Sequence, residues 1–307
     1  MPPIHSLIDN VEKVIVGKRQ VVELAVISLL CRGHVLLEDV PGTGKTMLAR
    51  ALAKSVAVDM KRLQCTPDLL PSDITGVPIY NQKTGEFEFR PGPVFTHILL
   101  ADEINRATPR AQSALLECME EFRVSVDSVT YDLPKTFMVL ATQNPIDMAG
   151  THTLPEAQLD RFFVRLSVGY PTLDEELRII SAQALIHPIE TLEAVVSEAD
   201  ILAARDAVKA IHVNPDIARY AARIVEATRS HPDLRLGASP RGTLALVRGS
   251  QALAFLRDKN YVTPDIVKAM VAPVLEHRLI IRPQATAMGQ NAGNVIKEIL
   301  ERTAPPV

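Results

Sequence analysis

The stretch Val35-Leu36-Leu37-Glu38-Asp39-Val40-Pro41-Gly42-Thr43-Gly44-Lys45-Thr46-Met47 decides how the chain is read. A short apolar run breaks into a glycine-containing loop, and the loop opens a helix-forming run that reaches Ala57. Strand, loop and helix in that order are the setting of a phosphate-binding loop. Gly42 and Gly44 let the backbone turn its N–H groups inward on an anion. Lys45 is placed to reach β- and γ-phosphates, and the Thr46 hydroxyl to ligate Mg²⁺. Pro41, Thr43 and Met47 complete the candidate loop and helix start, where the helix dipole adds positive charge. One position departs from G-x-x-x-x-G-K-[ST], which asks for glycine where Asp39 stands. An acid beside phosphates is unfavourable unless its carboxylate points away or caps a local amide.

Outward from this loop, helical spacing marks Gln20–Cys31 before the first strand, and Lys61–Cys65 reads as a second strand. Buried strands are expected at His97–Glu103, Phe137–Thr142 and Phe162–Val168, with a helix at Pro109–Glu121. Two hairpins are expected, one with arms at Val77–Tyr80 and Glu86–Phe89, the other turning at Asp127-Ser128. Strands alternating with helices imply a parallel sheet with helices on both faces, and functional groups at its carboxyl edge. From Leu173 onward the pattern is helical. Asn214-Pro215, Ser239-Pro240 and Thr263-Pro264 each place an N-cap residue before proline. A boundary near His187-Pro188 gives an α/β nucleotide-binding core over 1–188 and a helical lid over 189–307.

With 307 residues and 47% hydrophobic content the chain can build two cores. A net charge of −3 gives no overall field favouring nucleic acid or anionic membrane. The three cysteines are far apart and not in metal spacing, which suits a reducing compartment and packing roles. The N-terminus lacks a secretory signature and no apolar run approaches a membrane span, so a cytoplasmic protein is expected.

Asp102 ends an apolar strand at the edge where a metal-holding acid is needed, and the adjacent Glu103 is placed to polarise an attacking water. A hydrolase needs that second acid, whereas a transferase does not. Asn144, just past the next buried strand, can hold the water while Glu103 polarises it. Arg161 precedes the last strand and can stabilise transition-state charge on a neighbouring subunit's nucleotide. Arg241 lies in the first turn of a helix, where a cation opposes the dipole, so an anion partner is expected.

Taken in order, Gly42–Thr46, Asp102-Glu103, Asn144, Arg161 and Arg241 resemble Walker A, Walker B, sensor 1, arginine finger and sensor 2 of the AAA+ ATPases. The two hairpins resemble the helix-2-insert branch. Within it, the runs Leu70–Gly76, Gly92–Phe95, Ala101–Ala107 and Ala141–Pro145 are similar to the MoxR family over roughly residues 5 to 300. The resemblance implies a five-stranded parallel AAA+ core, a small all-α lid, ATP and Mg²⁺ as cofactors, and a homo-hexamer. It also implies chaperone-like remodelling or metal-cofactor insertion, with a von Willebrand factor A-domain protein and a client as partners. By the same resemblance Val16-Gly17 would lie beside adenine, while a helix–loop–helix packing corner is the other reading of these residues.

Two rival functions share the architecture. One is the ATPase subunit of a metal chelatase. The other is a DNA-engaging motor, against which the hairpins argue, because Arg123 and Lys135 are balanced by Asp127 and Asp132.

Overall fold

The computed structural model describes residues 4–40, 42–144 and 151–306. Among these residues nine strands precede the helical C-terminal region: β1 Val35–Glu38, β2 Met60–Gln64, β3 Gly76–Asn81, β4 Glu86–Pro91, β5 Ile98–Asp102, β6 Arg123–Val126, β7 Val129–Asp132, β8 Met138–Gln143 and β9 Val164–Leu166. Five of them form one sheet in the order β2-β5-β8-β1-β9. β1, β5 and β8 are apolar runs that are buried up to a half-buried polar last residue, as strands covered on both faces must be. The pairings β2–β5, β5–β8 and β8–β1 are parallel, and their register sets Gln64 opposite Asp102, Ala101 opposite Ala141 and Leu37 opposite Thr142. That alignment gathers the polar strand ends at a single edge of the sheet.

The expected hairpins are both present. β3 pairs antiparallel with β4, and β6 with β7 through Asp127 and Ser128, at φ 49° and 67°. Two consecutive left-handed residues are what a two-residue turn needs to match the twist of its arms. Phe89 of one hairpin stacks on Tyr131 of the other with ring centroids 4.3 Å apart.

The chain forms two compact units that interleave in sequence. The first comprises residues 1–23, 34–154 and 166–202, and the second 24–33, 155–165 and 203–307. A single cut at residue 188 therefore does not separate them. The physical reason lies in long-range packing within the second unit. The Arg205 guanidinium donates to the Leu29 carbonyl, a side chain at Gly33 would collide with Phe163, and Arg278 is bound to Asp160.

Helices dominate the second unit. Those at Pro215–Ser230, Pro240–Leu256 and Pro264–Leu275 each begin with proline. Asn214 and Ser239 cap the first two by accepting from Asp216 N and Arg241 N, whereas Thr263 makes no side-chain cap bond. The apolar faces Ile217/Tyr220/Ala221/Ile224 and Ile266/Met270/Val271/Val274 are buried, as their spacing predicts. A short ribbon, Leu234–Leu236 against Ile280–Ile281, interrupts the helical character. Among the described residues no helix is long and apolar enough to cross a membrane.

Candidate nucleotide site

The phosphate loop has the geometry its glycines predict. Gly42 and Gly44 sit at φ 85° and 86°, with open space where a side chain would begin. Gly44 is the N-cap of the helix Lys45–Val56 and uses its left-handed conformation to turn the strand-side chain into it. The Lys45 ammonium donates to the carbonyls of Asp39 and Val40, at 3.0 and 2.7 Å. Burial shifts this lysine towards its neutral form, and Asp39, Asp102 and Glu103 oppose that shift. Thr43 donates its hydroxyl to Val40 O at 3.2 Å. Pro41 lies outside the described residues, and Met47 follows in the first turn of the helix.

The carboxylate of Asp39 points away from the loop. It accepts from Ser167 Oγ at 3.0 Å, from Gly169 N at 3.2 Å and from Val168 N. The acid thus ties the strand end to the segment after β9, and its charge is shared between those amides and the Lys45 ammonium.

Asp102 and Glu103 meet at the carboxyl end of β5. Thr142 Oγ1 donates to Asp102 Oδ1 at 2.6 Å and accepts from Glu103 N at 2.8 Å. Glu103 itself is left-handed, at φ 56° and ψ 52°. A non-glycine residue there marks a position the surroundings over-determine, as functional sites often do. Its carboxylate accepts from Arg106 Nη1 at 3.2 Å and from Gln64 Nε2 at 3.4 Å. Asn144 follows β8, and its carbonyl accepts from Asn105 Nδ2 at 3.4 Å.

These groups surround one cavity of about 300 Å³, walled by Asp39, Gly42–Thr46, Arg62, Asp102, Glu103, Thr142, Gln143 and Asn144. Thr46 and Asp102 offer hard oxygens beside Lys45, and no group of three or more His, Cys, Asp or Glu able to hold a metal occurs among the described residues. This suits Mg²⁺, which keeps several waters and binds through one or two protein oxygens together with substrate phosphates.

Three expected site regions are not among these wall residues. Val16 and Gly17 do not line the cavity. Gly17, at φ 75°, abuts the Glu175 carboxylate, which any side chain there would meet. This contact with the cap of the helix Leu173–Ala182 is what the packing-corner reading expects. Arg161 and Arg241 both belong to the second unit. There Asp160 is held by Arg278 Nε at 2.9 Å and by Ser239 Oγ at 2.9 Å, and Glu156 by Arg235 at 2.6 Å.

A model of the ATPase family associated with various cellular activities (AAA) matches residues 34–164, and an AAA lid domain model matches 226–299. The chaperone MoxR1 of Mycobacterium tuberculosis is 40% identical over 99% of this chain and 83% of its own length. The protein MoxR of Paracoccus denitrificans is 33% identical over 88% of this chain and 86% of its own length. The chain belongs to the MoxR family of AAA+ ATPases.

Other relatives of this MoxR-family chain agree in extent. YeaC of Bacillus subtilis is 49% identical over 100% of this chain and 96% of its own length. A crystal structure from Cytophaga hutchinsonii superposes with a TM-score of 0.93 at 38% identity, covering 99% of this chain and 95% of that one. The MoxR-family core is the five-stranded parallel sheet, and the lid match lies within the helical second unit. Arg62, Gln64 and Ser167 complete the polar environment of the site without belonging to any motif, and Thr142, within the run Ala141–Pro145, joins them without having been assigned a role. The available signal for the first two is strand periodicity, since residues two apart on β2 face one side, next to Asp102.

Proposed function

We propose that this MoxR-family chain hydrolyses ATP in a Mg²⁺-dependent reaction and uses the cycle to remodel or mature partner proteins. The observation that carries this reading is the convergence of Lys45, Asp102, Glu103 and Asn144, from different elements, on the cavity built by the glycine loop. In it Lys45 leaves the loop carbonyls for the β- and γ-phosphates, and the N–H groups of Gly42–Thr46 bind their oxygens. Thr46 and Asp102 would hold Mg²⁺, which would supply positive charge to those oxygens. Glu103 takes the proton of the attacking water and Asn144 orients that water. Arg161 and Arg241 serve as arginine finger and γ-phosphate sensor, roles supported by their order in the chain.

The proposed assembly is a homo-hexameric ring acting on a client with a von Willebrand factor A-domain protein, in line with the family. The chaperone name of the mycobacterial relative supports remodelling, and metal-cofactor insertion is one form it could take. Nucleic acid is not among the proposed partners, because the hairpins carry balanced charge.

Glu103→Gln tests the reading. The amide cannot take a proton, while Asp102 and Lys45 still hold the nucleotide. ATP binding should persist and turnover fall by about two orders of magnitude or more. Loss of ATP affinity with undiminished turnover per bound nucleotide would make Glu103 a binding residue and overturn the assignment.

A further inference from the structure

The cation on the proposed metal-holding acid is Arg62, on the edge strand β2. Its Nη2 and Nε donate to a single oxygen, Asp102 Oδ2, at 2.6 and 3.1 Å. The other oxygen of Asp102 is taken by Thr142, so both oxygens of the carboxylate are bonded. Arg62 Nη2 also donates to Gln64 Oε1 at 2.8 Å, and the arginine lines the nucleotide cavity. Its side chain is 54% exposed against 15% for that of Asp102. The acid is therefore held on both oxygens, and the cation is the more exposed member of the pair.

From this geometry we infer that Arg62 is a resident counter-cation that competes with Mg²⁺ for Asp102 and so sets how much Mg²⁺ nucleotide binding requires. This rests on the ATPase reading above. A guanidinium stays charged at any physiological pH, so it neutralises Asp102 whenever no metal is bound. A hydrated Mg²⁺ approaching Oδ2 meets a positive charge already in its place, and the two cations repel. Displaced from Asp102, Arg62 would remain at a cavity that carries Glu103 and, with nucleotide bound, the phosphates. Without metal, the same arginine shields the phosphates from the bare carboxylate. Arg62 thus weakens metal binding and supports metal-free nucleotide binding, two effects of opposite sign from one side chain. Because the pair is partly exposed, each effect should be modest, about two- to fivefold.

The test is binding of a fluorescent, non-hydrolysable ATP analogue to the full chain, titrated with Mg²⁺ and repeated in chelator. Arg62→Gln should lower the half-saturating Mg²⁺ concentration about two- to fivefold and weaken analogue binding in chelator. Arg62→Lys, which keeps the charge without the fork, should fall between. An unchanged or higher Mg²⁺ requirement in Arg62→Gln would overturn the inference, since Arg62 would then be a bystander or an aid to metal binding. Failure of the wild-type chain itself to bind the analogue would sink the ATPase reading instead. A thermal melt without nucleotide keeps a folding defect from being read as either result.

Discussion

Thr142 donates its hydroxyl to Asp102 at 2.6 Å and receives the N–H of Glu103 at 2.8 Å, so one buried side chain sets the pose of both acids. The register of β5 on β8 makes this possible by pairing Ala101 with Ala141 and bringing the next residues of both strands to the edge. Without the hydroxyl, Asp102 loses one of its two anchors and the left-handed Glu103 loses its amide acceptor.

Thr142→Val keeps the shape and removes the hydroxyl. Leaving the Glu103 amide without its acceptor costs about 1–3 kcal/mol. We expect ATPase turnover to fall about tenfold or more while ATP binding changes little, and Thr142→Ser to restore it. Steady-state kinetics with a separate binding measurement checks this. Equal turnover in the valine and threonine forms would show that the acids hold their geometry without Thr142.

Asp39 stands where the strict phosphate-loop pattern has glycine, yet its carboxylate binds Ser167, Val168 and Gly169. Asp39→Gly should therefore make the motif conform and the protein less stable. Hydrogen bonds to charged groups are worth about 1.5–3 kcal/mol, and that is the scale of the loss. Amide exchange at Val168 and Gly169 should accelerate, and Asp39→Asn, which keeps an acceptor oxygen, should be milder. Unaltered exchange at those amides would show that the bonds contribute nothing.

Arg161→Ala should bind ATP but hardly hydrolyse it, with a loss of about 10³–10⁵ if the guanidinium acts on a neighbouring subunit's nucleotide. Mixed with Lys45→Ala, which lacks the loop cation but keeps its own Arg161, it should regain part of the activity at shared interfaces. An ATPase assay on each variant and on the mixture, with co-assembly verified by light scattering, decides it. Mixed rings without recovered activity would place the finger elsewhere, for which Arg106 beside Glu103 is a candidate.

By itself the sequence determined the elements and the chemistry that lies along a single strand or loop. Val35-Leu36-Leu37, the Gly42–Lys45 turn, the acids closing Ile98–Asp102 and the turn at Asp127-Ser128 are local patterns, and each forms where the pattern places it. Periodicity likewise gave the buried faces of the helices Pro215–Ser230 and Pro264–Leu275. Tertiary structure alone decided what Asp39 binds, since its partners lie 128 or more residues away, and what sits on Asp102, since Arg62 is 40 residues distant. It also decided that residues 155–165 pack with the C-terminal helices, where Arg278 reaches across 118 residues to Asp160. Apolar periodicity reports only which side of an element faces a core. Which charged group meets which depends on strand register and on chain crossings that no local window contains.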